Sequence, residues 1–438
     1  MKEFDKIIGY SSEKKELEQI ADCLKNSDVY KKLGVNAPRG LLLHGEPGVG
    51  KTLMSACLIE ASGRKAFICR KNKPDGAFVS EITRVFSEAK ENAPSIVFLD
   101  DMDKFANGDS RHRDTDEYVT VQSCIDSIKG SDVFVLATAN RTDCLPRSLL
   151  RAGRFDRRLR VSAPKGADAL EIISHYLEGK NLADDVDKKY IARLMDGHSC
   201  AKLETIINEA GLYAGFDRKD KISMSHFMRA YLRDMYGETR DEDDDEDDDD
   251  DYYSSTAPDA QLLRVACHEA GHAVISEILD PGSVTLVSVG GLRGGDRDGF
   301  TAYCNVNSLP PFENAVIRAI TGLGGMAAVE NKFGINHGGA AADLDSVFGI
   351  VSKMIENDGI CGLHLHGYGF RNTSDLDSKI EQATIAEVEK YYLKAKQILA
   401  CNSEFLDKLI TALSEKKLLT TPEIGEIRNS CKIVPFAA

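Results

Sequence analysis

Short apolar runs alternating with longer amphipathic stretches dominate residues 30–165. The runs "GLLLHG", "SIVFLDD", "VFVLATAN" and "RLRVSA" predict strands buried on both faces of a parallel sheet, with helices between them. That is the pattern of a doubly wound α/β domain. Over 168–236 the period changes. "ALEIISHYL", "KKYIARLMDG", "AKLETIINEAGLYAG" and "MSHFMRAYLRDMYG" carry helical spacing without a strand candidate and predict a small helical subdomain. Residues 238–256 are polar and densely charged, and like charges this close repel and resist burial, so a solvated, extended linker is predicted there. A helix follows over 257–279, with Thr256 as N-cap, Pro258 in its first turn and "DPG" at 280–282 as its stop. A β-like region over 283–305, containing "GGLRGGDRDG", precedes a mainly helical remainder. The expected organisation is therefore an α/β domain over 1–165, a helical subdomain over 166–237, a linker over 238–256 and a mainly α-helical domain over 257–438.

Composition narrows the classes. At 438 residues the chain is too long for one ordinary core, and 42% hydrophobic with 29% charged residues reads as soluble and globular. The net charge of −15 is local, because the run "DEDDDEDDDDD" at 241–251 alone supplies eleven acids. The folded parts therefore show no bias toward nucleic acid or anionic membrane. Eleven cysteines without CxxC pairs point to reduced thiols and a cytoplasmic setting. No stretch approaches the roughly 18 apolar residues of a spanning helix, so no membrane insertion is expected.

Candidate chemistry sits at two places. "GEPGVGKT", from Gly45 through Glu46, Pro47, Gly48, Val49 and Gly50 to Lys51 and Thr52, follows a predicted strand and opens a predicted helix. That is the context of a phosphate-binding loop, whose backbone N–H groups and helix N-terminus cradle phosphates, with Lys51 on the β/γ-phosphates and Thr52 on Mg2+. Asp100 and Asp101 end the next strong strand, where ligands of open α/β sheets bind. Asp100 suits the magnesium ion, Asp101 the polarisation of water, and Asn140, at the end of "VFVLATAN", the orientation of that water. Arg151 and Arg154 follow in "LLRAGRFDRR".

The second place is "CHEAGHAVI", 267–275. His268 and His272 lie one turn apart on one helix face, as two zinc ligands require, and Glu269 beside them can act as general base toward water. A third ligand is needed, and spacing alone does not rank Asp343 against His364 and His366.

The nucleotide motifs together resemble the AAA+ ATPase module. The resemblance implies a ring, usually of six copies, with Arg151 and Arg154 reaching a neighbour's γ-phosphate, and adenine contacts from Ile8 and Gly9. Downstream, "HEAGHAVI", "GFTAY", "GLGGMAAVE" and "GGAAADL" in that order resemble the FtsH-type ATP-dependent zinc metalloproteases, and the likeness extends over almost the whole chain. It implies Asp343 as third ligand, ATP, Mg2+ and Zn2+ as cofactors, and unfolded or misfolded soluble polypeptides as substrates. It also implies a homo-oligomer. For such a peptidase, "GFTAY", Gly299 to Tyr303, is expected to be an edge strand that pairs with substrate backbone.

Some positions depart from that family. Its members normally begin with two membrane helices, whereas this chain starts at the motor and is expected to be a soluble relative or a truncated product. Asp101 replaces a glutamate, retracting the carboxylate by roughly 1.5 Å, so slow but measurable hydrolysis is expected. The aromatic pore loop is replaced by "NKPDGAF", where Phe78 is the one nearby aromatic, so weak pulling is expected. Cys200 stands where glycine is usual.

Overall fold

The structure is a computed structural model that describes residues 2–35, 37–71, 75–105, 116–151, 153–236, 258–289, 299–304, 310–334, 340–362, 365 and 374–437. The chain divides into two compact units, Met1–Tyr231 and Leu232–Ala438. The whole of the expected linker 238–256, with the acidic run 241–251 and Thr256, lies outside the described residues, as do His364 and His366.

In the first unit, helices α1 (Ser11–Lys25) and α2 (Ser27–Lys32) precede strand β1 (Gly40–His44). Then come α3 (Lys51–Ser62), β2 (Lys65–Arg70), α4 (Asp75–Glu91), β3 (Ser95–Asp100), α5 (Asp116–Ser127), β4 (Val133–Ala139) and β5 (Arg157–Arg160). The strands form one parallel sheet in the order β2-β3-β4-β1-β5. Strands β1, β3 and β4 are central and almost wholly buried, as their continuous apolar runs require. The two outer strands differ. β5 is mostly exposed rather than buried on both faces, and β2, "KAFICR", is not among the expected strands although it carries four apolar residues in a row. Helix α4 turns Phe78, Ile82, Val85, Phe86 and Ala89 toward the sheet, the spacing of one helical face. Phe78 is fully buried and meets Phe105 edge-on at 4.8 Å, so this aromatic is core and cannot grip a substrate.

Four helices close this region of the chain: α6 (Gly166–Leu177), α7 (Lys188–Leu194), α8 (Cys200–Phe216) and α9 (Met224–Tyr236). Asp187 and Ser199 cap α7 and α8 through their side chains, satisfying N–H groups that a helix start leaves open.

The second unit is built on α10 (Pro258–Leu279), which is buried nearly all round through Val265, Ala266, Cys267, Ala270, Ala273, Val274, Ile275 and Ile278. Strands β6 (Val284–Ser288) and β7 (Phe300–Tyr303) pair antiparallel, followed by α11 (Pro311–Gly322), α12 (Gly324–Phe333) and α13 (Ala341–Lys353). Helices α14 (Ser374–Cys401) and α15 (Ser403–Lys416), strand β8 (Leu418–Thr420) and α16 (Thr421–Asn429) complete it. β8 pairs with β6 to give the order β7-β6-β8, a strand not foreseen in a segment read as helical. Helices α10 and α12 cross where two glycines meet. A Cβ on Gly271 would lie 2.3 Å from the Gly324 carbonyl oxygen, so the glycine inside "HEAGH" is required by this approach.

Candidate functional site

The phosphate-loop residues join β1 to α3, at the C-terminal edge of the sheet where open α/β sheets bind ligands. A cleft of about 500 Å³ opens there, lined by Ile8, Pro47, Gly48, Val49, Gly50, Lys51, Thr52, Asp101 and Asn140. Lys51 Nζ donates to the carbonyls of Gly45 (2.8 Å) and Glu46 (2.7 Å) and to Asn140 Oδ1 (2.8 Å). Its amine thus joins the two predicted elements of the site, and burial lowers its pKa. Phosphate oxygens are the acceptors that such a loop and lysine accommodate, so the donor set fits a nucleotide. Gly9 adopts φ +65 and packs against Asp168. Cys200 lines the same cleft with its sulfur 3.4 Å from the Tyr10 hydroxyl, which also donates to the Ser162 carbonyl.

The acids after β3 are already engaged. Asp100 is buried, accepts from Thr138 Oγ1 at 2.8 Å and is ion-paired with Arg70. Asp101 sits in the left-handed region at φ 53, its N–H bonds Thr138 Oγ1 and its carboxylate pairs with Lys104 at 2.8 Å. A non-glycine residue held there stores strain, which is commonest at functional sites. Arg154 is held by Asp126 at 2.9 Å, the Ser148 carbonyl and Gln122, whereas Arg151 is exposed. Neither arginine lines the nucleotide cleft of its own chain. Sequence reasoning missed Arg70 and Thr138; Thr138 lies inside a run already singled out, but nothing in the local pattern marked Arg70.

In the second unit, His268 and His272 project from one face of α10, and Asp343 reaches them from the first turn of α13. The two histidine Nε2 atoms lie 3.0 Å apart, and Asp343 Oδ2 is 3.1 Å from one and 3.2 Å from the other. Zinc bonds of about 2.0–2.1 Å in a tetrahedral arrangement set ligand atoms roughly 3.3 Å apart, so this triangle fits the ion. His272 Nδ1 donates to the Thr321 carbonyl at 2.7 Å, which fixes the ring and leaves Nε2 for a metal. Burial opposes the His272 imidazolium, but its hydrogen bond to Asp343 and the charges of Glu269 and Asp343 outweigh it and raise its pKa. Burial also works upward on Asp343, yet hydrogen bonds from His268 and His272 hold its carboxyl well below the usual carboxylate range.

Glu269 is buried beside this triangle, and Thr301 Oγ1 donates to its Oε2 at 2.7 Å. Two glycines make room. A Cβ on Gly325 would stand 2.4 Å from the His268 ring, and one on Gly299 would stand 2.9 Å from Glu269 Cγ. All four residues open into a cleft of about 1330 Å³. Thr301, Thr321 and Gly325 were missed as individual residues, though Thr301 and Gly325 fall within quoted motifs.

Comparison with known proteins agrees with both halves. Residues 41–163 match the ATPase family associated with various cellular activities (AAA), and residues 256–427 match peptidase family M41. The ATP-dependent zinc metalloprotease FtsH of Chloroflexus aggregans is 30% identical over 97% of this chain and 68% of its own length. The FtsH 2 enzyme of Symbiobacterium thermophilum is 30% identical over 97% of this chain and 74% of its own. The FtsH of Ureaplasma parvum is 29% identical over 99% of this chain and 61% of its own. The chain thus spans roughly two thirds of the length of these relatives. Among the described residues no helix is long and apolar enough to cross a membrane.

Proposed function

From a chain that belongs to the FtsH family of ATP-dependent zinc metalloproteases, we propose an ATP-driven zinc endopeptidase that degrades unfolded or misfolded polypeptides as a ring of six copies. The observation that carries the reading is the triangle of His268, His272 and Asp343 with Glu269 alongside. A purely structural zinc site has no need of that buried glutamate.

His268, His272 and Asp343 are the proposed zinc ligands. Zinc, when bound, supplies Lewis acidity that polarises the scissile carbonyl and acidifies water. Glu269 takes the proton of the attacking water and returns it to the leaving amine, while Thr301 holds the carboxylate in line. The edge strand β7 offers its open side to an extended substrate backbone. In the motor, Gly45 to Thr52 cradle the phosphates of ATP, with adenine against Ile8 and Gly9, and Thr52 and Asp100 hold Mg2+. Asp101 and Asn140 orient the attacking water. Arg151, exposed, is the arginine best able to reach a neighbouring copy; Arg154 is held within its own copy by Asp126. The eleven unpaired cysteines support a reducing, cytoplasmic compartment.

A second reading, favoured by the buried Phe78 and the occupied acids Asp100 and Asp101, keeps the peptidase and reduces the motor to assembling or gating the ring. Casein cleavage by the purified chain with ATP and zinc tests the proposal. Glu269→Gln is expected to lower it by about 10²–10⁴-fold; cleavage that survives the substitution overturns the mechanism.

A further inference from the structure

The peptidase cleft carries two cationic side chains that the proposed chemistry does not use. Arg264 lies on α10 four residues before His268, on the same helix face. Arg318 lies on α11 one turn before Thr321, the residue whose carbonyl fixes His272. Both line the cleft, and neither forms a hydrogen bond or ion pair with any described residue. Arg64, Arg84, Arg141 and Arg154, by contrast, each hold a carboxylate.

The acids along the cleft are committed. Glu269 is bonded by Thr301, Asp343 faces the two histidines, and Asp280 is buried with partners of its own. A third observation points the same way. Thr321 lines this cleft at 6% exposure, and its buried hydroxyl has no hydrogen-bond partner among the described residues. A buried hydroxyl without a partner is costly, and a ligand oxygen would supply its acceptor.

We infer that the cleft selects polypeptide segments carrying a carboxylate close to the scissile bond, with Arg264 and Arg318 as the recognising cations. The inference rests on the peptidase reading proposed above and adds the class of substrate that this site prefers. Guanidinium groups match carboxylates in a bidentate fork, and a cleft walled by protein focuses their field. The carboxylate can come from an aspartate or glutamate side chain or from a chain's C-terminus.

The test uses the full chain with zinc and ATP and a set of internally quenched peptides, acetylated and amidated. The set differs only in aspartate, asparagine or lysine beside the cleaved bond, and a further pair ends shortly after that bond as free acid or as amide. The aspartate peptide is expected to show a kcat/KM about tenfold above its asparagine twin, carried by KM, with lysine lowest. Arg264→Gln and Arg318→Gln are each expected to bring the aspartate-to-asparagine ratio toward one. Fluorescence anisotropy with the Glu269→Gln protein should give the same order for binding alone. Preference for the free acid over the amide, with no preference among side chains, assigns the same arginines to a chain terminus. Equal cleavage of all peptides, or an aspartate preference that persists in both arginine variants, overturns the inference while leaving the peptidase reading intact. No cleavage of any peptide overturns the peptidase reading, and this inference with it.

Discussion

In the peptidase half the carboxylate Asp343 faces two imidazoles at 3.1 and 3.2 Å, whereas in the motor half Asp100 faces Arg70 and Asp101 faces Lys104. Both halves bring acids to the place where a cation is expected. One set converges on a point between neutral-capable ligands, and the other is neutralised by fixed cations of the same chain. A metal entering the first displaces only protons. On the magnesium role proposed for Asp100, the ion would have to displace Arg70 from a buried carboxylate, which would weaken binding by the strength of that pair. The peptidase centre is therefore prearranged, and the motor centre is restrained.

The largest effect that would break this contrast is at Gly325. Alanine there would drive a methyl group into the His268 ring, which stands 2.4 Å from the place of its Cβ. Gly325→Ala is expected to abolish peptidase activity and to lower zinc content, read by metal analysis, well below one per chain. Full metal content with full activity would remove the claim that this glycine shapes the site. At Thr301 the loss should be intermediate. Thr301→Val removes a hydrogen bond to a carboxylate and is expected to cut kcat by about 10- to 100-fold with zinc retained, while Thr301→Ser restores most of it. Equal defects in valine and serine variants would mean that the strand, and not the hydroxyl, matters.

Smaller effects sharpen the motor side. Arg70→Ala should strengthen binding of magnesium–ADP by about tenfold and leave metal-free ADP unchanged, as read by calorimetry. If both affinities stay the same, Arg70 is not a competitor of magnesium. Asp101→Glu restores the missing methylene and should raise the ATPase rate by a few-fold, and Asp101→Asn should lower it. An ATPase rate indifferent to both changes removes Asp101 from catalysis.

Much of this contrast was legible in the chain, and the rest was not, for physical reasons. His268, Glu269 and His272 share one helix, so a four-residue spacing places them on one face. The strands β1, β3 and β4 are buried on both sides and announce themselves as unbroken apolar runs. Strand β8 is only three residues long, and β2, although it carries the apolar run Ala66 to Cys69, lies at the sheet edge with only Cys69 fully buried. Phe78 looked available for substrate because it follows the loop in sequence, yet the helical phase of α4 turns it inward against Phe105. Arg70 and Thr138 act across adjacent strands, on acids 30 and 38 residues away, and periodicity does not encode such partners. Asp343 sits on a separate helix from the histidines, so its approach to them depends on the packing of α11 and α13 beside α10.

The central claim is a competent peptidase centre served by a restrained motor. It is tested most directly by one degradation assay on the purified chain with zinc, comparing unfolded casein and a stably folded protein under ATP and under a non-hydrolysable analogue. The account predicts cleavage of casein under both nucleotides, abolished by Glu269→Gln, and only slow loss of the folded protein, confined to ATP. Rapid ATP-driven loss of the folded protein would contradict the restraint, and failure to cut casein under either nucleotide would contradict the peptidase centre itself.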